Sequence, residues 1–219
     1  MAEFSPTDRT EITRLAKRAS YDKDTVFAIL DEALACTVAF CQDGKPVQLP
    51  TGFCRIDETL YIHGSVGSTW MRYLDTSRPE VSVSVTLLDG LVLARSAFHH
   101  SMNYRSVSIF SVPEKITDNG QLDHILEVFT EKVCRGRWND IRKPTAGEWK
   151  ATMVLALPIH EAVAKIRSGP PKDDSEDYDG PYWAGVVPIV TSRGEVQPDP
   201  ELKEGVELPD YLKPRISPK

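Results

Sequence analysis

No two cysteines in this chain are spaced as CxxC, so the tight ligand pair of most zinc and dithiol sites is missing. Cys36, Cys41, Cys54 and Cys134 are expected as free thiols in a reducing cytoplasm. A zinc site from Cys36, Cys41 and a distant histidine is disfavoured by that spacing. No GxGxxG follows a strand-like run, and no GxxxxGK[ST] occurs, which argues against a Rossmann or P-loop nucleotide fold. No GxSxG elbow is present, so a Ser/His/Asp hydrolase is a weak reading. No apolar run approaches membrane-spanning length. The start, "MAEFSPTDRTE", carries acids early and no apolar h-region, so no secretory signal is expected. A basic excess is absent too: 26 Lys and Arg face 32 Asp and Glu, a net charge of -6. That excludes nucleic acid held by bulk electrostatics and leaves room only for a local basic pocket.

What remains is an ordinary globular chain of 219 residues, 41% hydrophobic and 26% charged. "SPTDRTEITRLAKRAS" predicts a short amphipathic helix, with Ile12, Leu15, Ala16 and Ala19 on one face. A second helix is expected in "DKDTVFAILDEAL", capped by Asp22 or Asp24. Strands are expected at 36–42, 46–56 and 59–64, the first two joined at Asp43-Gly44, a hairpin dipeptide. "VGSTWMRYLDTS" reads as a short helix. "EVSVSVTLLDGLVLAR" alternates with period two, and "YRSVSIFSVPEKIT" is a further strand. "NGQLDHILEVFTEKV" is a helix with Leu122, Ile125, Leu126, Phe129 and Val133 inward. "EWKATMVLALPIHEAVAKIR" is a last long strand interrupted at Pro158. Beyond Arg167 the chain turns rich in Pro, Gly and acids and predicts little regular structure. Trp183, Val186, Val187 and Ile189 are apolar enough to pack on a neighbour. The fold class is mostly β with peripheral helices, an antiparallel barrel or near-barrel.

Three stretches could carry chemistry. "VQLPTGF" places a proline and a glycine inside a strand, the mark of an edge, a bulge or a close ligand. "LYIHGSVGSTWMRYL" ends a strand at His63 and offers small residues and hydroxyls at a helix start, which suits a phosphate. The same pattern also fits an ordinary capped helix beside a structural histidine. "SAFHHSMNYRSVSIF" sets His99, His100, Asn103 and Arg105 between apolar strands. Arg105 can pair a phosphate and Asn103 can donate to a ring carbonyl. Adjacent strand residues point to opposite faces, which weakens His99 and His100 as joint metal ligands.

In their order and spacing, "PVQLPTGF", "LYIHGSVGS", "HHSMNYRSVSIF" and "TMVLALPIHEAVAKIR" resemble the FMN-binding split-barrel family related to pyridoxamine 5'-phosphate oxidase. The resemblance is strongest to its branch of nitroimidazole-resistance and flavin-nucleotide-binding proteins. With the N-terminal helix expected at 1–21, it implies an FMN-binding split barrel at 22–168 and a Pro- and acid-rich extension at 169–219 that packs on the barrel or a dimer partner. It places Gln48, Leu49, Pro50 and Thr51 by the isoalloxazine ring. His63, Gly64, Ser65, Ser68 and Thr69 fall by the ribityl phosphate, and Asn103, Tyr104, Arg105 and Ser106 complete the pocket. Many relatives carry a lysine where Ser68 and Thr69 stand here, so the phosphate's countercharge falls to His63, Arg72 or Arg105. The resemblance further implies a homodimer and an oxidoreductase acting on a small molecule with NAD(P)H as donor. His99 or His100 is the candidate proton donor, because histidine titrates near neutral pH. A flavin-binding protein without turnover competes with this reading, as does a deazaflavin cofactor. A haem-binding or haem-degrading split barrel also competes, with His63, His99 or His100 as axial ligand. Its mark would be a solvent-reachable histidine on an open apolar face.

Overall fold

The computed structural model describes residues 2–213. Ten strands form one sheet in which every ladder is antiparallel. They are β1 (Ala19–Ser20), β2 (Ala35–Gln42), β3 (Lys45–Ile56), β4 (Thr59–Ser65), β5 (Val81–Leu93), β6 (Ser101–Ser111), β7 (Glu114–Lys115), β8 (Thr152–Pro158), β9 (Glu161–Arg167) and β10 (Gly185–Pro188). The helices are α1 (Lys23–Glu32), α2 (Thr69–Ser77), α3 (Asn119–Val133) and α4 (Ala146–Ala151). The spatial order is β1-β9-β6-β5-β2-β3-β4-β8-β7, with β10 added against β5.

β3 serves two neighbours. Residues 45–52 pair with β2, and Phe53–Ile56 pair with β4. The β2–β3 turn is the expected Asp43-Gly44 pair, both at positive φ (51° and 73°), which matches the right-handed twist of the flanking strands. Pro158 ends β8, and the chain turns through Ile159 and His160 into β9 at the far side of the ladder order. The predicted single strand is therefore two. The ends are drawn together where Ile159 N–H donates to Glu58 O and Ser111 Oγ donates to Pro158 O, each at 2.8 Å. The result is an antiparallel split β-barrel with peripheral helices.

The barrel interior holds Val38, Phe53, Leu60, Ile62, Val83, Ile109, Leu155 and Leu157, with Val26 and Leu30 of α1 and Met71 and Leu74 of α2 packed into it. Full burial of each such side chain is worth about 1.5–3 kcal/mol. A second, smaller cluster lies under α3, where Leu122 and Ile125 meet Cys54 and Val154.

The N-terminal helix predicted within 1–21 does not form. The segment is extended, with one 3-10 turn at Ala16–Arg18, and Leu15 sits in the left-handed region at φ 56°. Phe4 is buried in the main core and β1 extends β9, so tertiary contacts override a short helix that is marginal alone. The expectation of little regular structure after Arg167 holds except for 3-10 turns at Ser175–Asp179 and Asp210–Leu212 and for β10, whose Val186 and Val187 lie against Val92 and Leu91. Trp183 remains exposed.

Lys132 of α3 is an unusual core-edge cation. Its Nζ donates to Leu30 O at 2.9 Å and lies 3.7 Å from the Phe53 ring centroid. Burial pushes its pKa down from 10.5 to about 8, with Asp31 nearby opposing the shift. The folded chain thus releases this proton first, and the unfolded chain holds it up to about 10.5. Between those values stability rises with pH on account of Lys132. Urea midpoints measured across that window should climb less in Lys132→Met than in the parent.

Candidate functional site

Gly52 of β3 lies where α3 crosses the sheet. A Cβ there would stand 3.1 Å from the Phe129 ring, so the glycine in "LPTGF" admits Phe129 against the strand. Phe53 pairs with Ile62, which sets His63 beside Gly52 as the next position on β4. His63 meets the same Phe129 ring edge-on, centroids 4.5 Å apart. Leu60 and Ile62 point into the barrel, so His63, one residue on, points to the outer face.

That face is an open crevice of about 420 Å³, walled by His63, Leu126, Pro144, Trp149 and Thr152, with Arg142 and Glu148 at its polar side. His63 is half-buried, and desolvation alone lowers its pKa, which keeps the imidazole neutral at pH 7. No hydrogen bond to either ring nitrogen occurs among the described residues. A neutral, unpartnered imidazole is a ready metal ligand. Arg142 holds both oxygens of Glu148 at 2.7 and 2.5 Å, and with Thr145 it keeps that carboxyl down at about 2.

Leu126 was legible as an apolar position of α3, but α4 and its Trp149 were missed. The signal was there: "TAGE" is a capping box, with Thr145 and Glu148 bonding each other's backbone N–H.

Gly64, Ser65, Ser68 and Thr69 follow His63 into α2. Ser65 Oγ accepts from Gly67 N–H at 3.1 Å, and the N-cap Ser68 makes no side-chain cap bond. The first N–H groups of α2 therefore remain open to an anion. The structure thus brings Thr51, His63 and the α2 N-terminus to neighbouring positions of β3 and β4.

Residues 103–106 divide between two faces. Asn103 is buried, accepting from Arg167 and donating to Gly169 O at 3.2 Å. Arg105 is held by Asp89 (Nε–Oδ2, 3.0 Å) and by Glu32 (Nη2–Oε1, 2.8 Å). One cation between two carboxylates leaves net negative charge, so Arg105 here joins α1, β5 and β6 and does not present itself to a phosphate. Tyr104 and Ser106 face the other way, and Ser106 Oγ bonds Lys165 O at 3.1 Å. That outer face continues through Ser84, Thr37 and Pro50, one row of the ladders, with Gln48 and Ala39 in the next row, giving a floor of small side chains. Leu49 and Thr51 point the other way on the same strand.

His99 and His100 sit in the β5–β6 connection. His99 Nε2 lies 3.1 Å from Asp174 Oδ2, and His100 Nδ1 lies 2.9 Å from Ser96 O. In the sheet order β5, β2 and β3 separate β6 from β4, so these histidines do not join His63.

A profile of the pyridoxamine 5'-phosphate oxidase family matches residues 22–166, the span of the barrel. The chain belongs to this family. Among solved structures, the flavocytochrome Anf3 from Azotobacter vinelandii is 38% identical, with a TM-score of 0.89 over 95% of this chain and 97% of that one. The FAD and heme binding protein from Mycobacterium smegmatis is also 38% identical, with a TM-score of 0.85 over 89% and 95%. A protein from Bacteroides thetaiotaomicron assigned to 5-nitroimidazole antibiotic resistance shares the fold at 21% identity and a TM-score of 0.58, over 68% and 86%. No curated protein matches the chain. Among the described residues no helix of this family member is long and apolar enough to cross a membrane.

Proposed function

We propose that this protein binds both a flavin and a haem and works as an oxidoreductase between a small-molecule donor and an acceptor. The observation that carries the haem half is His63: a neutral, unpartnered imidazole on the wall of an open crevice lined by Leu126, Pro144 and Trp149. It supplies the solvent-reachable histidine on an apolar face that a haem reading requires. The residues fit the group. His63 would hold the iron, and Leu126, Pro144 and Trp149 would pack on the macrocycle.

The flavin half rests on the family and on the α2 N-terminus. Ser68 and its N–H neighbours would hold a phosphate, and the backbone of Gln48–Thr51 would run past the ring. The resemblance implied FMN, but FAD is the better proposal, because one protein of 38% identity is described as FAD and heme binding, while the other, a flavocytochrome, supports a flavin beside a haem. Bound there, the flavin supplies two-electron exchange with a donor such as NAD(P)H, and the haem supplies one-electron exchange with an acceptor. The chain's own task is to orient both groups and keep His63 unprotonated.

A homodimer is part of this proposal. Leu88, Leu91, Met102 and Val187 are exposed together along β5, β6 and β10, where a second copy would cover them. The four cysteines are all unpaired, which suits a reducing cytoplasm.

The test is the visible spectrum of the purified protein, followed by denaturation and mass analysis of what is released. A Soret band together with released FAD is expected. A protein that shows no Soret band, even after incubation with haemin, would remove the haem half and leave the flavin. Released FMN alone would return the cofactor to the one the resemblance implied.

A further inference from the structure

A cavity of about 570 Å³ opens where the N-terminal segment passes the end of β9 and the β5–β6 connection. Arg14, Lys17, Arg18, Arg167 and Lys172 line it, and no carboxylate does. Among the described residues none of these cations has a carboxylate partner, whereas Arg9, Arg55, Arg95, Arg105 and Arg142 all do. In a chain of net charge -6, unpaired cations gathered in one cavity are not an accident of composition.

Arg167 makes the argument sharper. It is only 8% exposed, and its guanidinium donates to Asn103 Oδ1, Gly169 O and Pro170 O, all neutral oxygens. A buried charge without a counter-ion costs free energy, and an anion in the cavity would remove that cost. Desolvation and then the nearby Arg18 both lower the Arg167 pKa, with Tyr104 opposing them last and least, so the folded chain leaves this charge short of a counter-ion. The wall is strained as well. Leu15, between Arg14 and the 3-10 turn bearing Lys17 and Arg18, is held left-handed at φ 56°, which an L side chain rarely adopts.

The rim carries an aromatic ring. Phe98 is 88% exposed and meets His99 edge-on at 5.1 Å, so one ring face is free. Asp174 and Asp177 stand beside His99 and do not line the cavity.

We infer that this cavity is a nucleotide site in which the cations hold a pyrophosphate and Phe98 stacks on the base. It is separate from the His63 crevice and does not depend on haem. The same chemistry has two sources: an exchangeable nucleotide, such as a dinucleotide reductant, or the pyrophosphate of a resident FAD, which would then be held here and not at the α2 N-terminus.

Calorimetry on the purified full chain, with its cofactors in place, distinguishes them. ADP and inorganic pyrophosphate are expected to bind and adenosine to bind far more weakly, since charge-assisted bonds to phosphate dominate. Lys172→Ala and Arg18→Ala should each weaken ADP by about tenfold. Phe98→Ala should weaken ADP about fivefold and leave pyrophosphate unchanged, as loss of stacking predicts. Melting temperature and visible spectrum should not move. If ADP binds only after the flavin is stripped, and the cation variants purify with less flavin, the site stands and its ligand is the resident FAD. If neither ADP nor pyrophosphate binds with or without flavin, or if Arg18→Ala and Lys172→Ala bind as the parent does, the inference is overturned.

Discussion

His63→Ala should abolish the Soret band of the purified protein while leaving its yellow flavin absorbance. Loss of groups that merely orient a metal ligand costs about 10–100-fold in affinity, so loss of the ligand itself should cost at least about 100-fold. The side chain is half-buried against Phe129 and forms no hydrogen bond among the described residues, so its removal should not unfold the barrel. His99→Ala and His100→Ala serve as controls. They lie across the sheet beside Asp174 and Ser96 and should keep the parent spectrum. A Soret band that survives in His63→Ala but disappears in either control would transfer the ligand to the β5–β6 connection. Acid pH should weaken haem binding for the same reason that His63 is a good ligand: protonating its imidazole removes the lone pair. Because burial lowers the His63 pKa, this loss should begin below the ordinary histidine range.

Much of the barrel could be read from periodicity. The Val81, Val83 and Val85 alternation gave β5, and Asp43-Gly44 gave the β2–β3 turn. These features are local, and local preference and tertiary structure agree there. The misreadings share one cause. The 5–20 segment has a helical apolar stripe, yet Phe4 is buried in the core with its N–H on Tyr21 O, and β1 pairs with β9, contacts that hold the segment's two ends. Residues 148–167 read as one strand interrupted at Pro158 because both halves are apolar. Only closure of the barrel shows that Pro158 sends β9 to the opposite edge. At the candidate site, His63 was legible as a residue but not its direction. The direction follows from its alternation with the buried Ile62, and the walls it meets come from Phe129, admitted by Gly52, and from Trp149 on the capped helix. The cationic cavity was legible only as a permission, since its cations lie far apart in sequence at 14–18, 167 and 172.

Arg105 illustrates the limit of reading a charged residue from its neighbours in sequence, and it yields the second large effect. An arginine between apolar strands needs a partner, and an anionic ligand was one way to supply it. The chain supplies its own. The register shift between Leu88 and Gly90 turns Asp89 out of the regular ladder, and its carboxylate meets Arg105, while Glu32 reaches it from the last turn of α1. Both carboxylates hydrogen-bond the guanidinium, which raises the Arg105 pKa and lowers that of Glu32. Arg105→Ala would leave Glu32 and Asp89 facing each other with no cation between them. The cost should be about 1–2 kcal/mol, above that of an exposed pair and below that of a fully buried one. For a domain of this size that lowers Tm by about 2–8 °C. Flavin content per folded molecule should stay at the parent level, which separates this role from a phosphate contact. Adding Glu32→Gln and Asp89→Asn to Arg105→Ala should recover part of the lost Tm, because the repulsion goes with the charges. A triple variant no more stable than Arg105→Ala, or a single variant that keeps its Tm and loses flavin, would return Arg105 to the cofactor pocket.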